Sequence, residues 1–392
     1  MSSSPLRFDD GPVQFRQRII CSILSRRPLL VKNIRHLDQD PGLRDYEASF
    51  LRLIDSLTNG TSIEINETGS QFKMRPGIVI NGEVSHVCCV SRSIGWFLEG
   101  ILPLAAFGKR DLKLTLTGVT DGYENEEVSI DYIKASMLPV LKEFGVGADE
   151  SEGPGAMLRV TRRGAAPGGG GSVEVFCPMV KALTPINIVD PGMIKKIRGN
   201  AVSCRIPPTS PARVAHAAKG ILHKLIPDVW IHTDTNSGSK TNGPGGCGES
   251  PGLKCILSTE STTGVTLSAE VCLDYRLERG AVLPEDLGVQ AATLLLDEVR
   301  KGGCVDSACQ SFIFLLMCLT PEDVSRVRVG VLSRYSVTTL RLLKQVFGVE
   351  MKVTGEGNVD DGRDDEERGA VARSVLLSCL GIGFRNVSKS VT

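Results

Sequence analysis

No CxxC pair occurs among the twelve cysteines of this 392-residue chain. None of the closer clusters, Cys88-Cys89 or Cys304, Cys309 and Cys318, has a histidine at zinc-site spacing, so no metal and no cofactor is expected. Cysteines scattered through a long chain that shows no signal peptide exclude a disulfide framework and point to a reducing compartment. Net charge is missing too, because 45 basic residues balance 45 acidic ones. No global field draws the chain onto nucleic acid, and any RNA contact has to be a local patch. The longest apolar stretch, Ile94 to Phe107, contains Glu99 and is too short to span a bilayer, so no membrane role is expected.

Nucleotide and hydrolase signatures are lacking as well. The pattern GxxxxGK[ST] is absent, and the single GxGxxG, at Gly243, Gly245 and Gly248, sits in a glycine-rich run with no helix opening after it. A GxSxG at Gly248, Ser250 and Gly252 lacks the strand-serine-helix context of a nucleophile elbow. What is present is an ordinary globular composition, 41% hydrophobic and 23% charged, which predicts a folded, soluble chain.

A repeat is the first positive signal. Tyr132 to Val146 and Tyr335 to Val349 both read as amphipathic helices that end in Phe-Gly-Val, and Tyr46 to Leu57 has the same pattern before Asn59-Gly60. Each follows another apolar helix: Phe15 to Leu24, Ile94 to Ala106, and Leu287 to Arg300 continuing into Ser311 to Leu319. Strand-like runs separate the pairs at Leu29 to Ile34, Leu112 to Thr117 and Val327 to Val331. The expected fold class is α/β of the α+β type: three repeated helix-strand units, each burying one face of a sheet. The pattern changes near Leu183, with a helix at Pro211 to Leu225 and strands at Val229 to Thr233, Leu253 to Glu260 and Gly264 to Tyr275. The boundaries drawn are a large domain, 1–183 and 284–392, interrupted by an inserted domain, 184–283. Asn236 to Gly252 reads as a mobile loop, and the acidic run Glu356 to Arg368 as a hairpin tip.

Candidate chemistry is sparse. Gly168 to Gly171 is followed by a strand, so a hairpin turn is expected there and not a phosphate cradle. Among His36, His86, His216, His223 and His232, only His216 and His223 share a helix, and no carboxylate completes a ligand set. Basic residues are locally dense at Arg16 and Arg18, at Arg35, at Lys195, Lys196 and Arg198, and at Arg341 with Lys344 one helical turn on. These eight are the candidate contacts to RNA or an acidic partner.

Several segments carry a family resemblance. The run VKNIRHLDQDPGLRDYEASFLRLI (Val31 to Ile54) resembles the opening segment of the RNA 3'-terminal phosphate cyclases. GGGGSVEVFCP (Gly168 to Pro178) is similar to their glycine-rich hairpin, and IKKIRGNAVSCRIPP (Ile194 to Pro208) to the start of their inserted domain. DLGVQAATLLLDEVRKGGCVDSACQSFIFLLMCL (Asp286 to Leu319) resembles the stretch that carries the active site. The resemblance implies the cyclase fold, a large domain of three repeats with a smaller inserted α/β domain. Cyclases use a histidine as the nucleophile that accepts AMP from ATP. Here Val305 to Gln310 holds none, and no histidine follows His232. The family's N-terminal Gly-Gly-Gly-Gln element is also missing, since GPVQFRQR stands at Gly11 to Arg18.

These departures are similar to those of the eukaryotic cyclase-like branch, as are FRQR at Phe15 to Arg18 and GIGFRNVSK at Gly381 to Lys389. That likeness implies a nucleolar protein of the small-subunit processome, a monomer within the assembly and without cyclase activity. The implied partners are a large assembly GTPase, the precursor of small-subunit (18S) rRNA and its small nucleolar ribonucleoprotein. The alternative is an endonuclease cutting that precursor itself, through carboxylates such as Asp306 with Arg341 and Lys344, although no cluster of acidic ligands supports it.

Overall fold

The computed structural model describes residues 4–122, 127–147, 154–236, 238, 246–273, 282–355 and 374–386. Gly243 and Gly245 of the GxGxxG, the acidic run Glu356 to Arg368, and the last three residues of the Gly381 to Lys389 motif lie outside the described residues. The first unit is β1 (Leu6–Phe8), α1 (Phe15–Ser25), β2 (Leu29–Val31), α2 (Asp45–Leu57), β4 (Ser62–Ile65) and β5 (Phe72–Arg75), beside a ribbon of β3 (Thr58–Asn59) and β6 (Ile78–Val79). The second is β7 (Gly82–Val87), α3 (Ile94–Ala105), β8 (Leu112–Gly118), α4 (Ile130–Tyr132), α5 (Leu138–Glu143), β9 (Met157–Arg162) and β10 (Gly171–Cys177). The third starts at β11 (Asn187–Ile188) and is then interrupted by β12 (Ile194–Cys204), α6 (Thr209–Leu222), β13 (Val229–Asn236), β14 (Gly252–Ser261), β15 (Thr266–Leu273) and α7 (Pro284–Arg300). It resumes with α8 (Gln310–Leu319), β16 (Val324–Val329), α9 (Arg334–Phe347), β17 (Lys352–Gly355) and β18 (Val375–Leu380).

The repeat is visible in the sheets. Their orders, β1-β2-β5-β4, β7-β8-β10-β9 and β11-β16-β18-β17, are one order written three times. In each, the first strand is parallel to the second, the second antiparallel to the last, and the last antiparallel to the third. A parallel pair needs a crossover, and α1 and α3 supply it in the first two units. Each unit therefore opens with a strand that the hydrophobic pattern had not resolved. The expected hairpin over Gly168 to Gly171 is present, joining β9 to β10.

The helix expected over Tyr132 to Val146 is present from Ile130 to Glu143, with a π-helical turn at Ile133–Met137 joining α4 to α5. One sequence expectation is corrected. The apolar run from Leu287 into Leu319 is two helices with different loyalties. α8 packs in the main core, whereas α7 places Leu287, Ala291, Ala292 and Leu295 in a second core with Val214, Ala218 and Leu222 of α6. Gly288 sits so close to α6 that a Cβ there would lie 2.3 Å from the Val214 carbonyl oxygen. The inserted packing unit thus runs from β12 through α7, past the expected boundary at residue 283. Periodicity could not show this, since a helix that buries one stripe reads the same whichever sheet it covers.

A buried charge network ties the inserted sheet to the second unit. Lys254 on β14 is 1% exposed and pairs with Asp121 at 2.8 Å and with Asp131. Arg163 also reaches Asp131, at 2.6 Å, and Asp234 of β13 at 3.7 Å. Burial alone would neutralise Lys254, but Asp121 and Asp131 outweigh it and raise its pKa. Removing one partner of such a group leaves uncompensated buried charge, so Lys254→Ala is expected to lose about 3–5 kcal/mol in urea unfolding. A loss below about 1 kcal/mol would show the network to be solvated.

Candidate functional site

Helices of all three units meet around α1, which packs on α3 and α9, while α8 packs on α3 and α9. Where this joint faces the inserted domain there is a cavity of about 540 Å³. Arg16 of α1, Glu99 of α3, Tyr335 at the start of α9, Tyr132 of α4, Ser268 and Glu270 of β15, and Glu298 of α7 line it, together with Glu127 and the Asp306-Ser307-Ala308 turn. Every unit and the insertion contribute.

Local folding aims these groups. Ser129 caps α4, accepting from the Tyr132 N–H at 3.3 Å, and its own N–H donates to Glu270 Oε1 at 2.6 Å while its hydroxyl donates to the other carboxylate oxygen. The π turn, a device common at functional sites, then directs the Ser136 hydroxyl to Asp306 Oδ2 at 3.1 Å, beside the hydrogen bond that Tyr132 Oη donates to Oδ1. The Ser268 and Cys309 N–H groups add bonds of 3.1 and 3.0 Å. Gly95 permits the close approach of this segment to α3, since a Cβ would lie 1.9 Å from the Val128 carbonyl oxygen.

Five carboxylates line the cavity against one guanidinium. Arg16 is committed to Glu99 at 2.8 Å, to the Trp96 carbonyl and to the Trp96 ring, 4.6 Å away. Glu127 pairs with Arg92, and Glu298 with Lys301 at 2.6 Å. Among the described residues Glu270 and Asp306 have only neutral hydrogen-bond donors. Burial pushes Glu270 up to about 7, against the bonds from Ser129, and Asp306 up to about 6, against the bond from Tyr132. Cys309 is a buried thiol whose pKa burial raises well above the ordinary value. Ser307 donates to Glu298 and accepts from Lys301. None of the five histidines lines the cavity, and among the described residues no three His, Cys, Asp or Glu side chains are gathered for a metal ion.

The eight basic residues singled out in the sequence do not converge. Arg16 lines the cavity, as above. Arg18 is buried, with its guanidinium on Asp10 at 2.7 and 2.6 Å and over the Phe8 ring. Arg35 holds Glu47 at 2.7 and 2.8 Å. Lys196 pairs with Glu260, Arg198 with Asp228, and Lys344 with Glu350. Lys195 and Arg341 are exposed. Sequence reasoning missed Glu270, whose one signal was a lone charge inside the apolar strand TLSAEVCL. It had no signal for Glu298 or Tyr335, which are ordinary helix residues until the fold brings them together.

The sequence matches the family described as RNA 3'-terminal phosphate cyclase over residues 9–353. Similar proteins are the RNA 3'-terminal phosphate cyclase-like proteins of Mus musculus, 45% identical, and Homo sapiens, 44%, each over 96% of this chain and 95% of the relative. The rRNA processing protein rcl1 of Schizosaccharomyces pombe is 39% identical over the whole of both chains.

A carboxyl whose folded pKa is raised binds more protons folded than unfolded, so it contributes stability at low pH that is lost as pH rises through the folded value. For Glu270 the window runs from the ordinary 4.5 to about 7. Glu270→Gln is therefore expected to gain stability relative to the parent chain as pH rises from about 5 to about 8, by up to about 3 kcal/mol. Urea unfolding at stepped pH checks this, and a difference independent of pH would show Glu270 to be solvated.

Proposed function

The chain belongs to the RNA 3'-terminal phosphate cyclase family, and from that premise we propose that it serves rRNA processing as an assembly protein and not as a cyclase. The observation that carries the proposal is the cavity lining. Accepting AMP from ATP needs an activated nucleophile and positive charge for the triphosphate. The cavity offers five carboxylates and one guanidinium already held by Glu99, with no histidine. Among the described residues no histidine is placed there to attack phosphorus, and the one guanidinium in the lining is already paired, which leaves no free cation in the lining for a triphosphate.

The rRNA-processing role is supported by the name of the fission-yeast relative, which aligns from end to end. The finer proposal places the chain in the nucleolus, as one copy within the small-subunit processome. There it docks a large assembly GTPase and supports the early cleavages of the small-subunit (18S) rRNA precursor alongside a small nucleolar ribonucleoprotein. A docking role needs the fold and its surfaces and not the chemistry, which fits the family fold around a cavity without a placed histidine. Cleavage by the chain itself draws no support from Asp306, which is 2% exposed and saturated by four hydrogen-bond donors.

Two measurements test this. Purified chain incubated with ATP labelled at the α-phosphate is expected to form no covalent adduct, and an adduct would restore the cyclase. Gentle purification of a tagged chain at native level is expected to recover a large GTPase and small-subunit precursor rRNA. Recovery with RNA-repair enzymes instead would overturn the assembly role.

A further inference from the structure

The sheet of the inserted domain has the order β13-β12-β14-β15, and its two faces differ. Ile197, Val229 and Ile231 point into the second core. Their neighbours in sequence point the other way, because side chains alternate along a strand. On that second face Arg198 lies directly across from Trp230, and Asn200 from His232. The half of this face on β14 and β15 is covered, since Lys254 and Glu270 lock it to the second unit. On β12 and β13 the face is open at one end, around Arg198 and Trp230, and buried at the other, at Val202 and Cys204: Trp230 is 66% exposed, in contrast to Trp96 at 9%.

The exposed indole stands on an edge strand of the sheet with cations beside it. Lys219 Nζ stands 6.0 Å from its ring centroid. The partners of Arg198 and Lys196, Asp228 at 2.8 Å and Glu260 at 2.8 Å, are themselves about half exposed. Such surface pairs hold weakly and can exchange a carboxylate for a phosphate. Asp234, also on this face, is directed to Arg163.

We propose that this open half-sheet binds single-stranded RNA, a base stacking on Trp230 while Arg198, Lys196 and Lys219 meet the adjoining phosphates. Unpaired bases present a free π-face to an aromatic ring on a sheet, whereas a duplex has already stacked its bases on one another. An acidic peptide would use the cations but leave the indole in water. The site deepens the assembly role proposed above and rests on it only for which RNA is bound.

The chain has two tryptophans, Trp96 buried and Trp230 exposed, so the part of the intrinsic fluorescence that Trp230→Phe removes belongs to Trp230. Titration of the full chain with a short end-labelled oligoadenylate is expected to quench that part, and the anisotropy of the label gives the affinity of every variant. Trp230→Ala, a surface change checked by an unaltered melting curve, is expected to bind about tenfold more weakly, with Trp230→Phe retaining most of the affinity. Equal affinity of Trp230→Ala and the parent, or equal quenching by oligoglutamate, would overturn the proposal, the latter pointing to an acidic protein partner. Precursor rRNA recovered from cells by a chain that oligoadenylate does not quench would remove the site and keep the assembly role. Quenching in a chain that recovers no precursor would do the reverse.

Discussion

Helices α1 and α8 are buried along their whole length, and α3 nearly so. A helix buried on every side cannot be completed by its own four-stranded sheet, which covers one face only. Each unit therefore depends on the next, and the three fold as one body around these helices. The apolar content of α8, QSFIFLLMCL, makes the joint strongly favourable, at about 1.5–3 kcal/mol for each large side chain buried.

The same constraint decides the fate of polar groups on α1. Arg16, Gln17 and Arg18 go inside with the helix, and each has to find a partner. Glu99 from the second unit and Tyr335 from the third answer Arg16 and Gln17, with Tyr335 Oη also 3.4 Å from Glu99. Charges that look like an RNA-binding cluster in the sequence thus become the pins of the joint. The cavity beside them inherits carboxylates that serve structure, Glu99, Glu127 and Glu298 each paired with a cation and Glu270 held by Ser129.

The insertion obeys a similar rule. It enters after β11 and leaves before α8, and it carries its own core built from one sheet face under α6 and α7. Half of the other face is spent on the second unit, through Lys254 and Glu270. One end of the remaining half, with Trp230 and Arg198, is left to solvent, so a module added to the repeat gives the molecule a surface that the repeat itself lacks.

The three helix-strand units, the hairpin at Gly168 to Gly171 and the existence of an inserted domain were legible in the sequence, because helical and strand periods and glycine stops are local properties of a chain. So was the absence of a histidine after His232, which needs no coordinates. Three things were decided by tertiary structure alone: that α7 belongs to the inserted core, that Arg16 and Arg18 are interior, and that Glu270, Asp306 and Glu298 face one cavity. Each depends on which surfaces meet across large separations in sequence, and a side chain's charge or hydrophobicity is the same whichever partner the fold brings to it.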